Sequence, residues 1–348
     1  MFSQNSFPSA SIDLLRITDW FFPKHFDHHH LMVRYGSAIN SVMQTFARKM
    51  AGLGTLPSHA TQVRPPQQHT CDVLIVGLGS TGLTLATACA KAGLSVFAAD
   101  EEPVVGGTTR DSLAWKAPGV IAAKWADQQL AALQSTGAQV ALETCISATF
   151  DDGTIGINPT QAVWIRPTVR VFCNGRHESV SSFENNDLPG IYTERAMARA
   201  LGWGVALGDH VLVCGHDEAH NLLAIALADA GVVVERLEHT ERLIEALGST
   251  TVTGAVVRDN ETQKIRKISC NAIAIEALKT PAFELAGQAG VEAVVHDSQC
   301  FVPHCDEWGQ TERDDVFVVG ALTMRAHTLE QLQQIAALIE QRCKRGRV

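Results

Sequence analysis

The chain has 348 residues, 37 of them acidic and 28 basic, giving a formal charge of −9, with 46% hydrophobic and 19% charged residues. At roughly 150 residues per domain this is chain for two domains and a remainder. It is too apolar to be disordered and too acidic for a broad phosphate-neutralising face, which excludes nucleic acid as a main partner. Glycine, polar or charged residues interrupt every long apolar run, so no transmembrane helix is expected.

The first residues, MFSQNSFPSASIDLLRITDW, carry neither a basic n-region nor a continuous apolar h-region, so they do not read as a secretory signal. Nine scattered cysteines include no CxxC pair, which leaves neither a redox dithiol nor a zinc pattern. The expected location is cytoplasmic, or peripheral at the inner membrane through a complex.

In chain order, residues 1–69 read as an arm or linker that packs on a partner. They hold the aromatics Trp20, Phe21, Phe22 and Phe26 and the His25–His30 tract, and then Ile39, Val42, Met43, Phe46 and Met50 at the steps of one amphipathic helix. His25 and His29 share a helical face with Asp27 between them, but no second His/Cys group joins them, and no metal site is assigned. From Cys71 the pattern is strand–helix–strand: the buried run Val73–Val76, a glycine turn, a helix over Gly82–Ala92, and a strand over Leu94–Ala99. Apolar runs of this length alternating with helices imply a parallel sheet covered on both faces.

The turn reads Gly77-Leu-Gly79-Ser80-Thr81-Gly82 and is followed 18 residues later by Asp100 at the end of the next strand. Gly77 permits the tight turn, Gly79 admits a pyrophosphate to the backbone, Gly82 lets helix and strand pack, and the helix N-terminus offers free amides. Asp100, with Glu101 beside it, is placed to accept from a ribose hydroxyl, which favours FAD or NAD over NADP. Gly106-Gly107-Thr108 is either a plain loop or a second close approach to the same pyrophosphate. A second unit of the same kind begins at Val211–Cys214, with a helix over Asn221–Ala230 and a strand at Val232–Val234. Its turn, Gly215-His-Asp217-Glu-Ala-His220, keeps only the first glycine and adds charge and bulk where a pyrophosphate would lie, so it reads as a structural unit without nucleotide. A helix over His327–Arg345 closes the chain.

These residues and their surroundings resemble a known family. Ile165–Gly175 followed by Phe183-Glu-Asn-Asn-Asp-Leu-Pro-Gly190 is similar to the "ATG" strand and "FPNNDLPG" stretch of the alpha subunits of heteromeric FAD-dependent amine and amino-acid oxidoreductases. That family includes opine oxidase, hydrogen cyanide synthase, dye-linked proline dehydrogenase and heterotetrameric sarcosine oxidase. Thr280–Gly290 resembles its "SPAFELARQAG" segment, and Phe301–Thr311 with Val316–Ala321 resembles its "YVPVVDERGRT" and "VFAAGD" ending. The likeness covers about residues 20–325.

The resemblance implies an α/β fold of two Rossmann-type dinucleotide-binding domains in the thioredoxin-reductase-like flavoprotein arrangement, the second inserted in the first, plus the N-terminal arm. The implied boundaries are 70–188 with 296–348 for the nucleotide domain and 189–295 for the degenerate insert. The implied ligand is FAD, with NAD or ATP possible in the same site and a further flavin shared between subunits. The implied partners are a catalytic FAD-containing beta-type subunit and a small iron–sulfur subunit. By the same analogy the cofactor site extends from Gly77, Gly79, Ser80, Thr81, Gly82, Asp100, Glu101, Gly106, Gly107 and Thr108 to Asn174, Gly175, Gly320 and Ala321.

Two departures weaken that site: Asn174 replaces the threonine of the "ATG" strand, and Ala321 stands where the family places an acid. One missing charge-assisted hydrogen bond costs about 1.5–3 kcal/mol. The expected function is therefore a nucleotide-binding subunit supporting C–N oxidation. The alternatives are a non-catalytic scaffold with a relic nucleotide site and a stand-alone NAD(P)H-dependent reductase. No residue stands out as a substrate base.

Overall fold

The computed structural model describes residues 8, 9, 12, 13, 65–113, 121–179, 181–296 and 300–345. The aromatic cluster, the His25–His30 tract and the amphipathic helix expected of the arm lie outside the described residues. The chain divides into two compact units, 1–63 and 64–348. In the first, β1 (Pro8–Ser9) and β2 (Ile12–Asp13) pair antiparallel.

The second unit opens with β3 (Gln67–Val76), which leads through the glycine turn into α1 (Ser80–Lys91) and then β4 (Val96–Ala99). The short helix α2 (Gly107–Arg110), α3 (Ala122–Ser135), β5 (Gln139–Ala141), a hairpin of β6 (Cys145–Phe150) and β7 (Gly153–Ile157), and the long strand β8 (Ala162–Phe172) follow. Together with the later strand β20 (Val316–Val318) these form one seven-stranded sheet in the order β5-β4-β3-β8-β7-β6, with β20 also on β8. All pairs at its nucleotide end are parallel, and only the β6–β7–β8 meander is antiparallel.

β8 changes neighbour along its length. Its start, Ala162–Ile165, pairs with β7, and its end, Arg170–Phe172, pairs with β20. Pro167 falls in the gap between them, where its missing N–H breaks no ladder on that side. From Cys71 on, β3 is buried on both faces. Val73 and Ile75 face α1, α3 and the C-terminal helix, while Leu74 and Val76 face a cluster with Phe97, Phe172 and Ile146. An unbroken apolar run results, with no alternation to read.

β9 (Arg176–Ser179) carries the chain out of this sheet into a second one. There β10 (Ile191–Thr193), α4 (Glu194–Gly202), β11 (His210–Cys214), α5 (Glu218–Asp229) and β12 (Val233–Arg236) precede the meander β13 (Glu241–Gly248), β14 (Val252–Asp259) and β15 (Ile265–Ser269), and β16 (Ala272–Ile275) completes it. The four-stranded sheet is parallel, in the order β10-β16-β11-β12. β11 alternates by face: Val211 and Val213 pack under α4 and α5, and Leu212 and Cys214 pack under the meander.

β17 (Leu278–Pro281) returns antiparallel to β9, so a two-stranded ribbon joins the two lobes. The remainder, α6 (Glu284–Gln288), β18 (Ala293–Val295), β19 (Phe301–Pro303), β20 (Val316–Val318), a 3-10 turn at Gly320–Thr323 and α7 (Leu329–Arg345), completes the first lobe. None of the cysteines is bridged, and six of them are buried. No helix among the described residues is long and apolar enough to cross a membrane.

Candidate functional site

The glycine turn is built by close approaches. Gly77 has φ +93° and passes so near Cys173 that a Cβ would stand 2.6 Å from its carbonyl oxygen. A Cβ on Gly82 would stand 1.9 Å from the Gly77 carbonyl oxygen, so helix α1 starts flush against the turn. Gly79 differs from both: a Cβ there would meet nothing within 4 Å. It is the N-cap of α1, and no side chain accepts from the first amides of that helix. Free amides, a dipole end and open space coincide at this point, as an anion-binding helix N-terminus requires.

Gly106 and Gly107 close the other side. The Gly106 amide donates to the Leu78 carbonyl at 2.8 Å, and a Cβ on Gly107 would come within 3.2 Å of Gly79 Cα. Gly82, Gly106 and Gly320 therefore stand behind the cleft wall, Gly320 pressed against the Thr81 side chain. Gly77, Gly79, Ser80, Thr81, Asp100, Glu101, Gly107, Thr108, Asn174, Gly175 and Ala321 line a common cleft of about 480 Å³.

Two further cavities open from it. One, of about 220 Å³, lies toward Thr144, Cys145 and Ile146, on the side of β4 and Asp100. The other, of about 330 Å³, lies between the lobes beside Thr109, Glu194 and Lys279. An extended, two-ended ligand fits such a groove, with its middle at Gly79.

The acid at the end of β4 is engaged. Asp100 Oδ2 accepts from the Leu78 amide at 2.6 Å and Oδ1 from the Glu102 amide at 2.9 Å. Burial raises its pKa above the usual carboxylate value; the two amides oppose the rise and the Glu101 and Glu102 charges add to it. Asn174 Oδ1 is buried and accepts no hydrogen bond from the described residues.

The ribbon and α4 also bring to the cleft four charged residues that belong to no motif of the sequence: Arg176, Glu178, Arg195 and Arg199. Arg199 binds Glu102 through two contacts of 2.9 and 2.7 Å and lies 3.7 Å from Asp111. Arg195 pairs with Glu178 at 3.4 Å. Arg176 has no carboxylate partner among the described residues, its nearest polar contact being Met324 Sδ at 3.8 Å. Glycine spacing marks a phosphate turn, but nothing in the spacing of these arginines ties them to it.

The corresponding turn of the inserted lobe is closed by its own side chains. Asp217 caps α5, accepting from the His220 amide at 2.9 Å and from His220 Nδ1 at 2.6 Å. The buried imidazole lies over Gly215, and its Nε2 has no partner among the described residues. The amide that would greet a phosphate is already capped. Asp217, expected to repel a pyrophosphate, acts first as the helix cap.

The two largely parallel sheets, the insertion through a two-strand ribbon and the glycine turn define a two-lobed α/β fold built from two Rossmann-type lobes. No protein-family model matches the chain. It is 30% identical over 283 residues to the alpha subunit of sarcosine oxidase from Corynebacterium sp. strain P-1, a match covering 72% of this chain and 29% of that one. The Rhizobium meliloti sarcosine oxidase alpha subunit is 28% identical over 205 residues, covering 54% of this chain and 21% of that one. Among solved structures, L-proline dehydrogenase from P. horikoshii superposes with a TM-score of 0.67 at 20% identity, covering 82% of this chain and 58% of that one. Thioredoxin reductase from T. acidophilum superposes with a TM-score of 0.59 at 16% identity, covering 80% and 97%. In sequence the chain is thus related to the alpha subunits of sarcosine oxidase. It spans less than a third of the length of the Corynebacterium relatives, 29% in each case.

Proposed function

We propose that the chain is the nucleotide-binding, alpha-type component of a heteromeric flavin-dependent oxidoreductase acting on the CH–NH or CH–NH2 bonds of amines or amino acids. In this reading FAD lies in the groove that crosses Gly79. The observation that carries it is the uncapped start of α1, open at Gly79 and flanked by a cavity on each side. The α1 amides and the Gly106–Gly107 turn take the pyrophosphate, and the Thr144–Ile146 side takes the adenine. The distal half lies toward Ala321 and the ribbon. A flavin supplies a two-electron acceptor when bound, while this chain supplies position and electrostatics. The catalytic partner is a beta-type flavoprotein subunit that recognises the substrate.

A scaffold subunit with an empty site is the second reading. Ala321, which offers no acid to the ligand, and the self-capped inserted lobe favour it. That closed lobe also argues against a stand-alone NAD(P)H-dependent reductase.

Purification of the chain with its natural partner, mass spectrometry of released nucleotides and a visible spectrum test these readings. FAD released from the wild type and absent from Gly79→Trp supports the first; NAD or ATP in its place changes the ligand and keeps the site. A nucleotide-free, colourless complex favours the scaffold. A yellow solitary chain that oxidises NADH overturns both.

A further inference from the structure

Four arginines line the central cleft, and carboxylates hold three of them. Arg110 pairs with Asp127 at 2.7 Å, Arg195 with Glu178 at 3.4 Å, and Arg199 with Glu102 at 2.7 Å. A guanidinium paired in this way presents little net charge to a ligand. Arg176 is half-buried and has no carboxylate partner among the described residues. Lys279, also of the interlobe cavity, is exposed, and its charge acts on Glu194 and Asp217 of the inserted lobe.

The cavities locate Arg176 along the groove. It lines the central cleft and the interlobe cavity but not the adenine-side one, so it belongs to the half opposite Asp100 and Glu101. Its backbone is fixed: Arg176 pairs with Pro281 in the ribbon, and the Ala282 amide donates to the Gly175 carbonyl at 3.1 Å. Its Nη1 donates to Met324 Sδ at 3.8 Å, at the end of the 3-10 turn Gly320–Thr323. The start of that turn abuts α1, since a Cβ on Gly320 would stand 2.7 Å from Thr81 Oγ1. The guanidinium is therefore held against a turn that touches the first residues of α1, where the free amides lie. A single sulfur contact leaves most of its five N–H donors open.

We infer that Arg176 is a phosphate-binding residue of the nucleotide site, its guanidinium taking the phosphate on the interlobe side of Gly79, the one farther from the adenosine. This rests on the nucleotide reading of the groove and adds a side chain to the backbone amides there. A guanidinium can meet two phosphate oxygens at once and stays charged throughout the working pH range. Its charge also offsets the Asp100 and Glu101 carboxylates, which line the same cleft and oppose an anionic ligand.

The test is direct binding by calorimetry to the full chain stripped of nucleotide, with AMP and ADP as probes. The wild type is expected to prefer ADP. Arg176→Gln is expected to lower ADP affinity about 10- to 100-fold, as loss of a charge-assisted hydrogen bond does, and to leave AMP affinity little changed. Unliganded melting temperatures show whether the variant folds; if it does not, Arg176→Met decides by the same comparison. Lys279→Gln, which removes a charge from the same cavity, is expected to keep the wild-type ratio of the two affinities. An ADP preference that survives in the Arg176 variant overturns the inference and leaves the nucleotide site standing, as does equal binding of the two probes by the wild type. An equal loss in Lys279→Gln also overturns it, because the effect would then be the charge of the cavity and not a contact. No ADP binding by the wild type sinks the nucleotide reading, and this inference with it.

Discussion

His220 lies across Gly215: a Cβ added to the glycine would fall 2.4 Å from the imidazole Cδ2. Gly215 does not occupy the left-handed region, so the ring alone keeps this position a glycine. Gly215→Ala should therefore destabilise the chain by about 1–3 kcal/mol through overpacking. In a His220→Ala background the same substitution should be nearly neutral. A double-mutant cycle read by urea unfolding measures the coupling; additive costs would show that the ring is not what fills the inserted cleft.

The first glycine turn separates folding from binding. Gly79 has φ −67° and ψ −171°, a backbone that any residue adopts, and open space ahead of its Cβ. Gly79→Ala should leave the melting temperature unchanged or slightly raised, since alanine restrains the unfolded chain, while nucleotide affinity falls. Gly82→Ala, whose Cβ would meet the Gly77 oxygen, should lower stability by at least about 1–3 kcal/mol whether or not ligand is present. Melting curves with and without nucleotide distinguish the two; equal loss of stability in both variants would contradict the assignment.

How much of this was legible follows from what each element depends on. The nucleotide turn could be read because its glycines answer to local backbone geometry and its strand is apolar on both faces. The start of β3 could not: Gln67–Thr70 are polar and largely exposed, and only pairing with β8 extends the strand over them. Helix α5 begins at Glu218, earlier than the apolar pattern suggests, because Asp217 caps it. Arg199 and Arg176 reach the cleft through the insertion of a whole lobe, and no local pattern encodes that. Asp100 was recognised as the acid of the motif, but its turn toward the Leu78 amide depends on side-chain placement that spacing leaves open.

Arg170 is a long-range residue of this kind, almost fully buried on β8 with 4% exposure. Its guanidinium binds Asp315, donates to the Phe150 carbonyl at 2.7 Å and reaches Thr154 Oγ1 at 3.2 Å. It thus ties the β6–β7 hairpin to the loop that enters β20. Arg170→Met should cost about 1–3 kcal/mol, because Asp315 is left with Arg313 alone and the Phe150 carbonyl and Thr154 hydroxyl each lose a donor. Denaturant unfolding checks this, and a loss below about 1 kcal/mol would show that water replaces the guanidinium.

Arg199 joins the lobes through two acids with opposite pH signatures. The hydrogen bond from Arg199 holds Glu102 below its ordinary value of 4.5, against a smaller opposing effect of burial. An acid depressed in the folded state stabilises above its unfolded pKa and loses that contribution as pH falls through the folded one. Glu102→Gln should therefore cost about 0.5–1 kcal/mol at pH 7, a modest figure because both partners are partly exposed, and the difference should begin to close only as pH falls below 4.5. Asp111 is raised above 3.8 by burial, with Arg199, Arg195 and Arg110 pulling the other way. Its contribution is present at low pH and lost as pH rises through its folded pKa, so Asp111→Asn should gain stability at pH 7 and gain nothing below pH 3.8. Urea midpoints of the two variants across pH 3–8 should diverge from the wild type in opposite directions as pH rises. Parallel curves would mean that Arg199 treats the two carboxylates alike, and that the 3.7 Å contact with Asp111 is an ion pair as effective as the one with Glu102.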